Sequence, residues 1–218
     1  MLHALPNVLT SFRLVAAPGV AFAFVLLPRP TADLAAFALF VLAAATDWLD
    51  GRLARGLGAV SAYGRMMDPI ADKAMVMIAL AALLMLAGPD WLIVVPAALI
   101  MLREVAVSGL REFLAGRVEA RVTVLAKWKT AAQMAAIGAL LLAGWADGRA
   151  PTAPPPSAAA AVVAGEAGAG GDADAPRILG AAATAGGLTL LWIAAAMTLW
   201  TGVDYFRRAL ADPAAQEV

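Results

Sequence analysis

The sequence predicts an all-α integral membrane protein with six transmembrane helices and both termini in the cytoplasm. Hydrophobic residues make up 62% of the 218 residues and charged residues only 15%, compared with about 25% charged residues in a soluble domain. The mean hydropathy is +0.81, and the apolar residues fall in long blocks, which is typical of a polytopic membrane protein. The chain has no cysteine and a single histidine, His3. This composition excludes disulfides, thiol catalysis and a histidine-rich metal site.

Six apolar blocks are each close to the ~20 residues that cross a bilayer. They cover residues 12–28, 34–54, 66–87, 91–112, 128–146 and 178–204. Residues 1–13 are predicted to begin as an interfacial helix whose start is set by Pro6. Gly88 and Pro89 separate the third block from the fourth. The first block is expected to remain as an uncleaved helix, because it continues through an Ala-Phe-Ala run that resembles a signal-peptide cleavage site.

The basic residues are distributed unequally between the two ends of these helices. Six spans put both termini on one side, and that side carries 13 of the 16 basic residues. The other side keeps Arg29, Arg149 and Arg177. Because cytoplasmic loops are enriched in Lys and Arg, both termini are predicted to face the cytoplasm. Residues 146–177, rich in Ala, Pro and Gly, are predicted to form a flexible extracytoplasmic loop within one membrane domain of residues 1–218.

Four carboxylates lie in a stretch that is otherwise typical of membrane helix, namely Asp47, Asp50, Asp68 and Asp72. The first two are three residues apart and the last two are four apart, so on helices each pair shares one face. Ionised groups at bilayer depth are costly and normally functional. Four like charges around one small volume need cations, and hard divalent metal ions suit a site made only of carboxylates.

The pattern D-x2-D-G-x2-A-R-x8-G-x3-D-x3-D resembles the motif of the CDP-alcohol phosphotransferases, which are integral membrane enzymes of phospholipid synthesis. All eight fixed positions are present within 26 residues: Asp47, Asp50, Gly51, Ala54, Arg55, Gly64, Asp68 and Asp72. The resemblance implies transfer of a phosphatidyl group from a CDP-linked lipid to an alcohol, with release of CMP. It also implies that the four aspartates bind two ions of Mg²⁺ or Mn²⁺. By the same resemblance, Asp72 is the general base that takes the proton from the acceptor hydroxyl.

Other residues in and around the motif are expected to bind the CDP-lipid donor. Small residues at Gly51 and Ala54 let a nucleobase or ribose approach the helix, although packing between helices is the structural alternative. Arg55 suits the pyrophosphate, because guanidinium pairs with phosphate oxygens in a bidentate way. Gly64 is expected to permit a turn or a close backbone contact before the third span.

The N-terminal segment P-N-V-L-T-S-F-R also resembles this family. Asn7, Thr10 and Arg13 recur at three-residue spacing and share a helical face, so they are interpreted as donor contacts at the membrane surface. A helix cap and a snorkelling arginine are the structural alternative. The predicted donor-binding set is Asn7, Thr10, Arg13, Asp50, Gly51, Ala54, Arg55 and Gly64.

A second basic group is predicted to bind the acceptor, and it comprises Arg103, Arg111, Lys127 and Lys129. Arg103 lies well inside an apolar run, where an arginine needs an anion or a paired carboxylate. Glu104 is adjacent but is expected to point about 100° away on a helix. An anionic acceptor such as glycerol 3-phosphate is therefore favoured as the partner of Arg103.

Within the family, the segments L-R-E-V-A-V-S-G-L-R-E-F and K-W-K-T-A-A-Q-M resemble the bacterial phosphatidylglycerophosphate synthases. That resemblance implies that Arg103, Arg111 and Lys129 hold the acceptor phosphate, with Lys127 and Thr130 as helpers. It further implies CDP-diacylglycerol as donor, a homodimer, and a site that faces the cytoplasm from the bacterial inner membrane. Membrane lipids are expected partners, and nucleic acid is not.

Two kinds of alternative remain open at this point. Within the family, the product could be cardiolipin, an inositol-phosphate lipid or a serine phospholipid. In a different class, the intramembrane carboxylates could belong to a divalent-cation transporter. A phosphate-binding arginine at fixed spacing, Arg55, argues against a cation pathway.

Overall fold

The computed structural model of the protein describes residues 5–57, 62–113, 124–147 and 175–211. Within these ranges the chain forms six helices and no strand. The helices are α1 (Leu5–Leu26), α2 (Thr31–Leu57), α3 (Ala62–Ala87), α4 (Trp91–Phe113), α5 (Val124–Asp147) and α6 (Ala175–Ala211). The predicted all-helical class is confirmed for this part of the chain.

Four of these helices are long and apolar enough to cross a membrane, over the residues that the structure describes. The candidate spans are Asn7–Leu26, Ala62–Ala87, Trp91–Phe113 and Ile178–Ala211. The remaining two helices, α2 and α5, carry Asp47 and Lys129, which belong to the predicted functional groups. That α2 and α5 also span the bilayer stays a prediction.

The helix bounds differ from the predicted ones at two places. Helix α1 runs without a break from Leu5, so from that residue onward no separate interfacial helix precedes the first span. Pro6 lies in the first turn, where a missing N–H costs nothing. Helix α5 extends to Asp147 and α6 begins at Ala175, so the predicted loop of residues 146–177 is shorter at both ends. Its residues 148–174 lie outside the described ranges.

Alanines and large apolar residues together fill the interior of the bundle, and further large apolar residues cover its outside. Helix α1 packs on α2 and α3, while α6 packs on α5 and α4. The fully buried positions include Ala17, Ala36 and Ala136, because small side chains let helix backbones approach closely. Val15 and Trp200, by contrast, are 72% and 71% exposed. Apolar surface of this kind on long helices is suited to lipid, and the chain is a multi-pass membrane protein.

One short turn connects α3 to α4. Gly88 adopts a φ of 64° directly after the last residue of α3, and its N–H donates to the Leu84 carbonyl at 3.1 Å. This left-handed conformation ends a helix at low cost only when the residue is glycine. Asp90 then caps α4, since its Oδ1 accepts from the Leu92 N–H at 3.0 Å. The predicted break at Gly88 and Pro89 is confirmed.

Arg29 and Asp33 form a buried ion pair at the end of the bundle where α1 connects to α2. The Arg29 Nε donates to Asp33 Oδ2 at 2.7 Å, and Asp33 is only 1% exposed. A Cβ at position 144 of α5 would collide with this pair. The glycine there therefore lets α5 close over an ion pair that could not otherwise be buried.

A matched pair of glycines in α6 tests the packing of α5 against α6. A Cβ on Gly187 would lie 2.8 Å from Leu140 Cγ, whereas a Cβ on Gly186 would meet nothing within 4 Å. Leu140 is fully buried and has no room to move. We expect Gly187→Ala to lower the free energy of unfolding by about 1–3 kcal/mol. Gly186→Ala is expected to be neutral or stabilising by up to about 1 kcal/mol. Thermal unfolding of both variants in detergent measures the difference, and equal melting temperatures would contradict the close contact.

Candidate active site

Three of the four motif carboxylates meet at one end of the bundle, on a single arginine from α1. Arg13 is 3% exposed. Its Nη1 donates to Asp47 Oδ1 of α2 and to Asp72 Oδ1 of α3 at 2.5 Å. Its Nη2 donates to Asp68 Oδ1 at 2.9 Å, and that same oxygen accepts from Thr10 Oγ1 at 2.6 Å. The guanidinium thus ties three helices together and offsets one of the three negative charges.

The positions of Thr10 and Arg13 differ from the expected ones. Both were expected to contact the donor at the membrane surface, yet Thr10 is fully buried and Arg13 nearly so. The physical reason is that α1 packs between α2 and α3, which turns this face of α1 toward the aspartates. Asn7 is half-buried, and its carbonyl accepts from Ser11 Oγ at 2.8 Å. Donor binding by these three residues stays a prediction.

The rest of the motif is placed only in part. Helix α2 continues through Asp50, Gly51, Ala54 and Arg55, but the surroundings of their side chains lie outside the described part of the structure. Gly64 is buried and lies within the first turn of α3. The structure has helix and not a turn at this glycine, because α3 already begins at Ala62. The other expectation, a close backbone contact at Gly64, stays a prediction.

The donor atoms of the carboxylate site fit a divalent cation. Carboxylate oxygens are the ligands that Mg²⁺ and Mn²⁺ prefer, and the side chains of Asp47, Asp68 and Asp72 are 55%, 43% and 53% exposed. They already converge on one cationic group, Arg13. Within the described residues, no group of three acidic side chains is arranged to ligate a metal as it stands. Each of the three carboxylates contacts Arg13 through its Oδ1.

A second ionic cluster lies where α4, α5 and α6 meet. The Glu104 Oε1 accepts from Arg103 Nη1 at 2.9 Å and from the Lys129 Nζ. The side chains of Arg103, Glu104 and Lys129 are 17%, 16% and 8% exposed. One largely buried carboxylate therefore holds one cation from its own helix and one from α5.

This arrangement corrects the expectation that Glu104 points away from Arg103. Neighbouring side chains do leave a helix about 100° apart, but the long arginine stem bends back and brings its guanidinium to the carboxylate. Burial favours this bend, because a cation and an anion removed from water each need a partner. Arg103 therefore has a carboxylate partner within the protein, and it lies with Lys129 in one cluster, as the sequence predicted.

Helix α6 holds Arg103 from the other side. Arg103 Nη2 donates to Thr201 Oγ1 at 3.3 Å, and a Cβ on Gly202 would lie 3.0 Å from Arg103 Cγ. The Arg103 Nε is buried and has no hydrogen-bond partner among the described residues. The same holds within those residues for Thr198 Oγ1 and Tyr205 OH of α6. This side of the cluster thus retains buried polar groups that a polar ligand would satisfy.

The other predicted acceptor residues are exposed. Arg111 lies in the last turn of α4, and Lys127 and Thr130 lie near the start of α5. All three are at the same end of the bundle as Lys129, as the order of the helices requires. Their role in acceptor binding stays a prediction.

Two residues outside the predicted site, Lys73 and Ser108, join α3 to α4. Lys73, which follows Asp72 directly on α3, donates from Nζ to Ser108 Oγ on α4. Ser108 Oγ in turn donates to the Glu104 carbonyl at 2.5 Å. The sequence did carry a signal for both residues. Lys73 ends the D-P-I-A-D-K run, and Ser108 follows Glu104 by four residues and so lies on its face of α4.

Comparison of the sequence with known proteins identifies a family. The sequence model of the CDP-alcohol phosphatidyltransferase family matches residues 3–200. The chain belongs to this family, and its members generally depend on divalent metal ions.

Similar curated proteins carry a more specific name. A protein of Cereibacter sphaeroides is 48% identical over 95% of this chain and 96% of its own length. A protein of Pseudomonas fluorescens is 37% identical over 94% of this chain and 89% of its own length. One of Rickettsia felis is 36% identical over 93% of each chain. All three are named CDP-diacylglycerol–glycerol-3-phosphate 3-phosphatidyltransferase.

Proposed function

We propose that this protein transfers the phosphatidyl group of CDP-diacylglycerol to sn-glycerol 3-phosphate, giving phosphatidylglycerol phosphate and CMP. The observation that carries the proposal is the pairing of an aspartate cluster with a separate cationic cluster at one end of the bundle. Lys73, which follows Asp72 on α3, donates to Ser108 on α4, the helix that carries Arg103 and Glu104. A donor pyrophosphate and an acceptor phosphate need two such sites, side by side. The names of the similar proteins point to the same reaction.

The aspartate cluster would serve the donor. Asp47, Asp50, Asp68 and Asp72 would hold the divalent ions, which supply neutralisation of the pyrophosphate charge when bound. Asp72 accepts the proton of the acceptor's primary hydroxyl. The hydroxyl oxygen then attacks the phosphorus linked to diacylglycerol, the bond from that phosphorus to the CMP oxygen breaks, and CMP leaves. Arg55, with Gly51 and Ala54, is proposed to position the donor's nucleotide.

The cationic cluster would hold the acceptor phosphate. Arg103 and Lys129 are the two largely buried cations, and guanidinium and ammonium groups both bind phosphate oxygens. The buried Nε of Arg103 adds a donor with no partner among the described residues. An unsatisfied buried donor costs about 1–3 kcal/mol, and a phosphate oxygen would remove that cost. Arg111, Lys127 and Thr130 are proposed as outer contacts.

The placement in the membrane follows from the charges. We propose a single membrane domain of six spans with both termini in the cytoplasm, because 13 of the 16 basic residues fall on one side. Both ionic clusters then face the cytoplasm of the bacterial inner membrane. The lipid donor would enter from the inner leaflet and the soluble acceptor from the cytoplasm. A homodimer is proposed from the family resemblance alone.

Truncation of either cluster cation is expected to act on the acceptor alone. Lys129→Ala or Arg103→Ala should raise KM for glycerol 3-phosphate about 10- to 100-fold, because each removes a charge-assisted hydrogen bond of about 1.5–3 kcal/mol. KM for CDP-diacylglycerol should change by no more than about twofold. Steady-state CMP release measures both constants. Arg208→Ala is the control, since this half-exposed arginine pairs with Asp204 on its own helix, α6. Equal effects on both substrates would contradict the assignment.

The proposed function is tested by offering one acceptor at a time. Purified protein with CDP-diacylglycerol and Mg²⁺ is assayed for CMP release with glycerol 3-phosphate, phosphatidylglycerol, inositol phosphate or serine. Release with glycerol 3-phosphate alone supports the proposal. Release with another acceptor keeps the family and overturns the substrate. Metal flux in proteoliposomes, without CMP release from any acceptor, would favour a transporter.

A further inference from the structure

Glu104 has no place in the mechanism above, yet it occupies the centre of the cationic cluster. A single oxygen, Oε1, accepts from both Arg103 and Lys129. Its side chain is only 16% exposed. An acidic group at the place where an acidic substrate binds opposes that binding, so its presence calls for a physical reason.

The charge balance of the cluster shows how Glu104 affects binding of the acceptor. Without substrate the cluster contains two cations and one anion, a net charge of +1. The phosphate of glycerol 3-phosphate is a dianion near neutral pH, so its arrival makes the net charge −1. With a neutral side chain at position 104 the same complex would have no net charge. Glu104 therefore weakens acceptor binding, because like charges that approach within a few Å in a partly buried site repel strongly.

The benefit of Glu104 lies at the end of the reaction. The product proposed above retains the same phosphate monoester, since only the far hydroxyl of the acceptor reacts. Two cations that bind the acceptor phosphate tightly would also retain the product. Product release limits turnover in many enzymes. A carboxylate that re-forms its ion pairs with Arg103 and Lys129 would shift the binding equilibrium toward release of the product.

We propose that Glu104 is a positioning residue that exchanges with the substrate phosphate for Arg103 and Lys129 and thereby speeds release of the phosphorylated product. The inference rests on the proposed function. The exchange needs no movement of helices, because the carboxylate and both cations are already in contact.

The test is the effect of Glu104→Gln on the two kinetic constants. The amide keeps the shape and removes the charge. We expect KM for glycerol 3-phosphate and the inhibition constant of phosphatidylglycerol phosphate each to fall about tenfold. The turnover number kcat should fall as well, because the product leaves more slowly. A residue with only a structural role would give the opposite sign for KM, since a disordered cluster binds phosphate less well.

Two further variants make the test specific. Glu112→Gln makes the same chemical change on an exposed position of α4, and both constants should remain at the wild-type value. Glu104→Asp keeps the charge but shortens the reach, so its KM should lie between those of the wild type and of Glu104→Gln. If Glu104→Gln does not fold, Glu104→Asp takes its place in the test. A KM of Glu104→Asp below the wild-type value would then support the exchange, and a KM above the wild-type value would overturn it.

Direct binding separates failure of this inference from failure of the proposed function. Glycerol 3-phosphate is titrated calorimetrically into wild type and variant without CDP-diacylglycerol. Tighter binding to Glu104→Gln supports the inference, and equal or weaker binding overturns it. If the wild type releases CMP with glycerol 3-phosphate but Glu104→Gln binds glycerol 3-phosphate no more tightly, only the proposed role of Glu104 is overturned. If wild type neither binds nor uses glycerol 3-phosphate, the proposed function itself falls.

Discussion

Asp72→Asn is expected to abolish CMP release while the bundle stays folded. The amide is nearly the same size as the carboxylate but cannot take a proton from the acceptor hydroxyl, a step that contributes about 10²- to 10⁴-fold. It also removes one charge from the proposed metal site. The fold should survive, because Arg13 keeps its hydrogen bonds to Asp47 and Asp68. CMP release and the melting temperature in detergent are the two measurements.

Asp204→Asn is the matched control for this variant. Asp204 has a side-chain exposure of 47%, close to the 53% of Asp72. It pairs with Arg208 on its own helix, away from the motif. Turnover by Asp204→Asn should stay within about twofold of the wild type, as for most surface substitutions. Turnover of Asp72→Asn near the wild-type rate would remove Asp72 as the general base.

Arg13→Lys is expected to cause the second large loss, in both activity and stability. An ammonium group is a compact point charge and cannot reach three carboxylates on two helices in the way that the forked guanidinium does. Loss of one charge-assisted hydrogen bond costs about 1.5–3 kcal/mol. We expect the melting temperature to fall and CMP release to fall at least about tenfold, because the aspartates lose their relative positions.

Arg208→Lys makes the same change at an exposed arginine with one carboxylate partner. Such surface pairs contribute about 0–1 kcal/mol, so its melting temperature should remain near that of the wild type. If Arg13→Lys lowers the melting temperature as little as Arg208→Lys does, the three hydrogen bonds of Arg13 contribute little to the stability of the fold. Loss of activity with an unchanged melting temperature would instead assign Arg13 to substrate binding, as the sequence analysis proposed.

The helices and the shared face of Asp68 and Asp72 could be predicted because local patterns encode them. Apolar blocks of bilayer length appear as helices, and the turn at Gly88 follows from glycine chemistry. The spacing of Asp68 and Asp72 puts both on one face of a helix, and the structure brings both to Arg13. These features depend on residues close together in the chain, so the sequence alone is sufficient for them.

The contacts of Arg13 and Glu104 could not be predicted, because they depend on how helices pack. Arg13 lies 34 residues from Asp47 and 59 from Asp72, and nothing in the first helix shows that it packs between the next two. The prediction for Glu104 was wrong for a different reason. Its direction was inferred from backbone geometry alone, whereas the flexible arginine stem decides where the guanidinium lies.

The ionic groups of the described bundle lie at its two ends, with a layer of apolar side chains between them. Arg29 and Asp33 are at one end, and Arg13 and Glu104 are at the other. Between them lie fully buried side chains such as Leu80, Leu83, Ile137, Leu140 and Leu191. Such a layer acts as electrical insulation, because ions and protons do not enter a dry hydrocarbon interior. We therefore expect the bundle not to leak protons across the membrane that it spans.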